Sequence, residues 1–251
     1  MATSEWPVPS GLWLRGHLLR ESRALHPGRL VTFYPIVDDQ GAIAETQIYT
    51  ICLADCPWFY YGSETKDAAA GKHYGLMSQE ELAALPVREL LAQDAALFLW
   101  ATCPRLDYAI DLIRAWGFHY RGVAWVWAKT RKDGTLIHGQ GVPPTFTKPT
   151  TEMVLAASTK PRGRPFKIQT SKMAQLVGAP MEGEVVPAPR EQHSVKPTKF
   201  HRLIEELAGP EPSKIELFCR GRPEPGWHGW GNECKPAEPV SFHDFVRGEL
   251  R

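Results

Sequence analysis

The 251-residue chain has five cysteines, Cys52, Cys56, Cys103, Cys219 and Cys234, an odd and scattered set with no C-x-x-C pair. That argues against both a disulfide framework and a zinc site, which needs clustered ligands. The nine histidines show no H-E-x-x-H and no paired spacing, so no catalytic metal is expected. No stretch approaches the roughly 18 apolar residues of a membrane span. Pro, Arg and His interrupt the apolar residues near the N-terminus, unlike a signal peptide. A soluble, cytoplasmic protein with no membrane contact is expected. Neither G-x-G-x-x-G nor G-x-x-x-x-G-K-[ST] occurs, so no dinucleotide fingerprint or P-loop is visible. Internal repeats and low-complexity tracts are missing as well.

What is present is an ordinary globular composition, 43% apolar and 23% charged, in a length that one α/β domain fills. The net charge of +1 hides an uneven distribution. Between Arg121 and Lys172 ten Lys or Arg stand against Asp133 and Glu152, and residues 158–172 hold five basic residues and no acidic one. Such a run is either a solvated loop or a contact for an anionic partner. Pro and Gly recur over 130–150 and from 160 to about 192, marking two loops of a size that is usually functional.

Between these loops, strands and helices alternate. The apolar, β-branched runs 48–55, 96–102, 123–129, 152–158 and 214–220 read as strands. Residues 78–91 read as a helix opened by Ser78 and Glu81 in a capping box. Residues 104–117 and 196–209 read as amphipathic helices, the first ending on Gly117. Strands this continuously apolar belong in a sheet covered on both faces. Ligands of such sheets sit beyond the carboxyl ends of the strands. The segment Asp55-Cys56-Pro57-Trp58 lies just there. It is either a strand-ending turn with a core tryptophan, or a site in which Asp55 accepts from an exocyclic amine. In the second case Pro57 holds Cys56 extended and Trp58 offers a face for a base.

Eight segments in order decide how these residues are taken together. They are Asp55-Cys56-Pro57-Trp58, His73 to Met77, Leu97 to Thr102, Trp116-Gly117-Phe118, Trp125 to Lys129 followed by Glu152, His193 to Pro197, Lys214 to Phe218, and Trp230-Gly231-Asn232-Glu233. In this order, over about residues 48–234, they resemble the D-P-P-W family of N6-adenine methyltransferases. That family is typified by the catalytic subunit of the mRNA N6-adenosine methyltransferase and has bacterial and phage DNA-modifying relatives. The resemblance implies a Rossmann-like methyltransferase sheet with helices on both faces, in the permuted order that puts the catalytic motif before the cofactor motif. It implies S-adenosylmethionine as methyl donor, adenine N6 as acceptor, and catalysis by positioning and electrostatics without a metal.

Residue by residue, the resemblance implies that Asp55 and the Cys56 carbonyl accept the amine's two N–H groups, with Pro57 stiffening the turn and Trp58 stacking on the base. Tyr74 is either a surface aromatic or part of a loop that closes over a flipped base. Lys129, with Lys160, Arg162 and Arg164 of the basic run, falls on the nucleic-acid side. Lys196 matches a position against the methionine part of the cofactor, and equally suits a helix start before Pro197. Arg220, Asn232 and Glu233 match positions near the ribose and adenine, and Glu216 faces either the cofactor or a neighbouring strand. Cys56 departs from the family's Pro, which implies a looser turn and an oxidisable thiol beside the cofactor. The expected organisation is an extension over 1–47, a methyltransferase domain over 48–234 with basic loops 130–150 and 158–192, and a tail over 235–251. DNA is the expected substrate, since no zinc finger or long partner-binding helix is added. RNA, a cytosine amine, and an inactive nucleic-acid-binding scaffold are the alternatives.

Overall fold

The computed structural model describes residues 36–42, 48–58, 76–137, 149–166, 184–190, 195–231 and 233–234, all within one compact unit, Tyr34–Arg251. Seven strands form a mixed sheet: β1 (Tyr49–Ala54), β2 (Leu91–Thr102), β3 (His119–Thr130), β4 (Thr151–Ser158), β5 (Val185–Pro189), β6 (Lys214–Leu217) and β8 (His228–Trp230). Their order is β5-β3-β4-β2-β1-β6-β8. Every pairing is parallel except those of β4, which runs against both β2 and β3. A two-residue pair, β7 (Arg220–Gly221) with β9 (Glu233–Cys234), stands apart. This is the Rossmann-like α/β sheet that the resemblance implies.

Both faces are buried, as continuous apolar strands require. Cys52, Ala54, Leu97 and Leu99 pack on one face with Leu112 and Ile113 of helix α2 (Leu106–Ala115), its capping residue Trp116, and Leu82 of helix α1 (Gln79–Ala83). Ile51, Leu53, Phe98 and Trp100 pack on the other with Phe200, Leu203 and Ile204 of helix α3 (Lys199–Ala208). Helix α1 carries the expected capping box, with Ser78 Oγ accepting from Glu81 N at 3.1 Å and Ser78 N donating to Glu81 Oε2 at 2.8 Å. The helix expected over 78–91 nevertheless stops early. Pro86 cannot supply a helical N–H, and Val87–Leu90 form a separate 3₁₀ turn.

Two other expectations are corrected. The loop over 158–192 contains a strand, β5, which pairs with β3 from Val126 to Thr130. Pro187 and Pro189 disguise it in the sequence, yet an edge strand tolerates proline because one side of its ladder is unpaired. Trp127 Nε1 donates to Ala188 O at 2.9 Å and pins it. The boundary at 48 also falls inside the fold. Val37 N donates to Gly229 O at 2.9 Å and Gly229 N to Val37 O at 2.7 Å, while Asp39 Oδ2 accepts from Gly226 N at 3.0 Å. Residues 36–42 thus cover the β8 edge, which would otherwise be open to pairing with another chain.

Gly229 is squeezed at that edge. A Cβ there would lie 2.6 Å from Pro223 Cγ and 2.7 Å from Cys234 Sγ. Gly229→Ala is expected to cost about 1–3 kcal/mol through overpacking, read as a lower urea midpoint at unchanged slope.

Helix α3 is tied to β6 by His201 Nε2 and Glu216 Oε2, 3.0 Å apart, so Glu216 meets a helix and not the neighbouring strand expected as one alternative. Burial opposes a charge on His201, but its bond to Glu216, with the charges of Glu216, Glu224 and Glu205, raises it above its ordinary value. A raised imidazolium stabilises the fold fully below the unfolded value of about 6.5, and that stability is lost as pH rises through the folded value. His201→Gln is therefore expected to narrow its deficit in melting temperature between about pH 6 and 9, a trend that melting curves at fixed ionic strength will test.

Candidate active site

Side chains along a strand alternate between faces, and this places the site. Asp55 follows Ile51 and Leu53, Lys129 follows Trp125 and Trp127, and Glu152 precedes Val154, so all three continue the face that carries Trp100 and α3. Their height on the sheet follows from strand direction. Asp55 and Lys129 stand at the carboxyl ends of β1 and β3. Glu152 stands near the amino end of the antiparallel β4, opposite Thr102 and Trp127. The three therefore meet at one edge. β1 itself lies between β2 and β6, where connections leave toward both sides, the position at which such sheets bind ligands.

Lys196, in the segment leading into α3, closes the group. Its Nζ lies 2.8 Å from Asp55 Oδ2 and 3.3 Å from Glu152 Oε2, and Lys129 Nζ lies 2.5 Å from Glu152 Oε1. Charges alternate along this chain of four. Two tryptophans floor it, with Lys196 Nζ 5.4 Å from the Trp100 ring and Lys129 Nζ 5.0 Å from the Trp127 ring, within cation–π range. The four side chains keep between 13% and 24% of their surface exposed. They are shielded enough to interact strongly and open enough to meet a ligand.

The two carboxyls differ. Burial pushes Asp55 above its ordinary value; the charge of Lys196 and its hydrogen bond oppose this, Glu152 adds to it and Arg220 opposes it. Burial also penalises Glu152, but Lys196 and Lys129 together outweigh it and hold the carboxyl below the usual range. Glu152 is thus a fixed anion, and Asp55 one whose charge depends on Lys196.

The turn after β1 is built from both sides. Asp55 N donates to Leu217 O at 3.3 Å, extending the β1–β6 ladder, and Met77 N donates to Pro57 O at 2.9 Å beside a parallel bridge of Trp58 to Met77. Cys56 is buried, and burial, with Asp55 and Cys52 adding, pushes its thiol well up. This corrects the expected oxidisable thiol, since the reactive species is the thiolate. Trp58, 5% exposed, packs with Cys56 in the cluster on the opposite face from Asp55.

Arg220 comes near enough to act on Asp55. Just before it, Phe218 holds a left-handed φ of 62°, which is unusual for an aromatic residue and is the kind of strain found at functional edges. Tyr74, Asn232 and the Glu233 side chain lie outside the described residues.

Lys160, Arg162 and Arg164 are not part of this group. β4 runs away from the site, and a rise of about 3.3 Å per residue puts roughly 20 Å between Glu152 and Ser158. Ser158 pairs with Ala96 and His119 toward the opposite edge. There Arg121 donates to the carbonyls of Lys160, Pro161 and Gly163, shaping the loop, and Lys160 pairs with Asp94 at 2.6 Å. Among the described residues the basic run is one stretch in sequence and two places in the fold, with Lys129 the one of Lys129, Lys160, Arg162 and Arg164 at the site.

Sequence reasoning gave Glu152, Trp100 and Trp127 no role in the site. Their signal exists only jointly: alternation puts them on the Asp55 face, but only the direction of β4 brings Glu152 to the same edge.

Comparison with known proteins gives the chain its relatives. The chain is 31% identical to the Type II methyltransferase M.MunI of Mycoplasma sp over 202 residues, covering 74% of this chain and 77% of that protein. It is 22% identical to the human N(6)-adenine-specific methyltransferase METTL4, covering 77% of this chain and 39% of that protein. The human N(6)-adenosine-methyltransferase catalytic subunit METTL3 is 24% identical, with 74% and 28% covered. The chain thus spans most of the first relative and well under half of the other two. Residues 49–233 match MT-A70, and the chain belongs to the MT-A70 family.

Proposed function

We propose that the protein transfers a methyl group from S-adenosylmethionine to the exocyclic N6 of adenine in DNA. The observation that carries this reading is the Asp55–Lys196 pair at the carboxyl end of β1, in a family member with N6-adenine methyltransferase relatives. The donor set fits the cofactor, because the Lys196 ammonium suits its carboxylate and Arg220 is near enough to lower the Asp55 carboxyl. Bound there, the cofactor supplies an electrophilic methyl on a sulfonium.

The chain's own work is positional. The acceptor amine is a weak nucleophile because its lone pair is conjugated with the ring. Asp55 accepts one N–H and the Cys56 carbonyl the other, turning the nitrogen lone pair toward the methyl. The carboxylate meets the positive charge that grows on nitrogen as the bond forms. Pro57 fixes the direction of the turn. Asn232 and Glu233 complete the cofactor side, and Tyr74 belongs to the segment that covers the extruded base. In duplex DNA that base leaves the stack at a cost of a few kcal/mol. Arg162 and Arg164, far from the reacting centre, serve the duplex through its phosphates, so binding weakens with salt. DNA rather than RNA is favoured by similarity to a Type II methyltransferase along most of that relative's length.

Radiolabelled S-adenosylmethionine with duplex DNA, single-stranded DNA, RNA and adenine-free duplex tests this. Label is expected only in adenine-containing DNA. Label in RNA alone moves the substrate to RNA, label in the adenine-free duplex moves the acceptor to cytosine, and no cofactor binding leaves a scaffold.

A further inference from the structure

Glu152 acts on Asp55 in two ways: its charge raises the Asp55 carboxyl directly, and it holds the Lys196 ammonium that Asp55 also binds. One carboxylate oxygen takes Lys129 at 2.5 Å and the other takes Lys196 at 3.3 Å, while Lys196 reaches Asp55 at the shorter 2.8 Å. The ammonium is therefore shared, and Lys129 decides how strongly Glu152 competes for it. Without Glu152, Lys196 would lose the carboxylate that draws it away from Asp55 and would bind Asp55 more tightly. The same oxygens are the ones an incoming amine has to reach. Without Lys129, Glu152 would draw Lys196 away and leave Asp55 less compensated.

We propose that Glu152, braced by Lys129, is a positioning residue that divides the Lys196 ammonium between two carboxylates: its share of the ammonium keeps Asp55 open to the acceptor amine, and the Lys129 brace leaves Lys196 enough hold on Asp55 to keep it charged. The amine rests on the methyltransferase reading above; the division of Lys196 rests on geometry alone. The charged groups that act on Asp55 are Lys196 before α3, Glu152 from β4 and Arg220 from β7; Glu152 raises the Asp55 carboxyl while Lys196 and Arg220 lower it, and the Cys56 thiol, on the other face, is itself raised by Asp55.

The test reads Asp55 directly in the cofactor-free full-length protein, by carboxyl carbon NMR titration with Asp55→Asn for assignment, alongside the pH profile of kcat/KM. Glu152→Gln is expected to move the Asp55 midpoint down, and Lys129→Met to move it up, each by about half a pH unit or more. The acid limb of activity is expected to follow in the same two directions. Glu152→Gln is also expected to lower kcat more than it changes KM for cofactor, with Glu152→Asp recovering part of the loss. A packing role would move both variants alike or neither, and either result overturns the proposal. If Glu152→Gln does not fold, Glu152→Asp and Lys129→Met still decide it by their titrations. Opposite shifts in a protein that methylates nothing would keep the shared ammonium and remove the methyltransferase reading instead.

Discussion

Asp55→Asn is expected to lower methyl transfer by about a hundred- to a thousandfold, the usual loss when a group aimed at developing charge is removed. Asn keeps the size of the side chain and one acceptor oxygen, so the loss isolates the negative charge. The fold is expected to survive, because Lys196 retains Glu152 as a partner. Initial rates of label transfer, with melting curves as the control, check both halves. In the wild type the same group sets an acid limit. The reaction needs the carboxylate, and burial raises its value above the ordinary one, so activity fades on acidification at a higher pH than a free Asp, near about 3.9, would allow. That limb is expected to vanish in Asp55→Asn.

Trp100→Ala is the substitution expected to cost most in stability. The ring is 2% exposed, packed edge-on against Phe200 at 4.7 Å and Trp127 at 6.1 Å between centroids. Truncating a buried tryptophan costs about 3–5 kcal/mol, a fall in melting temperature of about 10 °C in a chain of this size. The damage reaches the site, because Phe200 anchors the helix that Lys196 leads into and Lys196 itself lies over the ring. Trp100→Phe keeps an aromatic surface and is expected to lose less than half as much stability, measured by the same melts.

Much of the fold is legible in the residues. Continuous apolar strands announced a doubly covered sheet, Ser78 and Glu81 announced a helix start, and Asp55 after such a strand marked the edge to search. What the sequence concealed was direction. Nothing local in residues 151–158 says that the strand runs backwards. On that reversal depends whether Glu152 or Lys160 stands beside Asp55. Prolines at 187 and 189 hid an edge strand because they break interior ladders but not exposed ones. Cys56 was read through its carbonyl, and Trp58 as either a core residue or a face for a base; the alternation that turns Asp55 toward Lys196 turns both of these side chains the other way.

Cys52, Cys56, Cys219 and Cys234 are buried, and Cys103 is exposed directly after β2, its Sγ 3.7 Å from Thr151 Oγ1. A maleimide dye offered to the native protein therefore has a single entry point, one residue beyond the Glu152 register partner Thr102. The protein carries its own attachment site for a fluorescent reporter, placed where occupancy of the edge would change the dye's surroundings and requiring no engineered thiol.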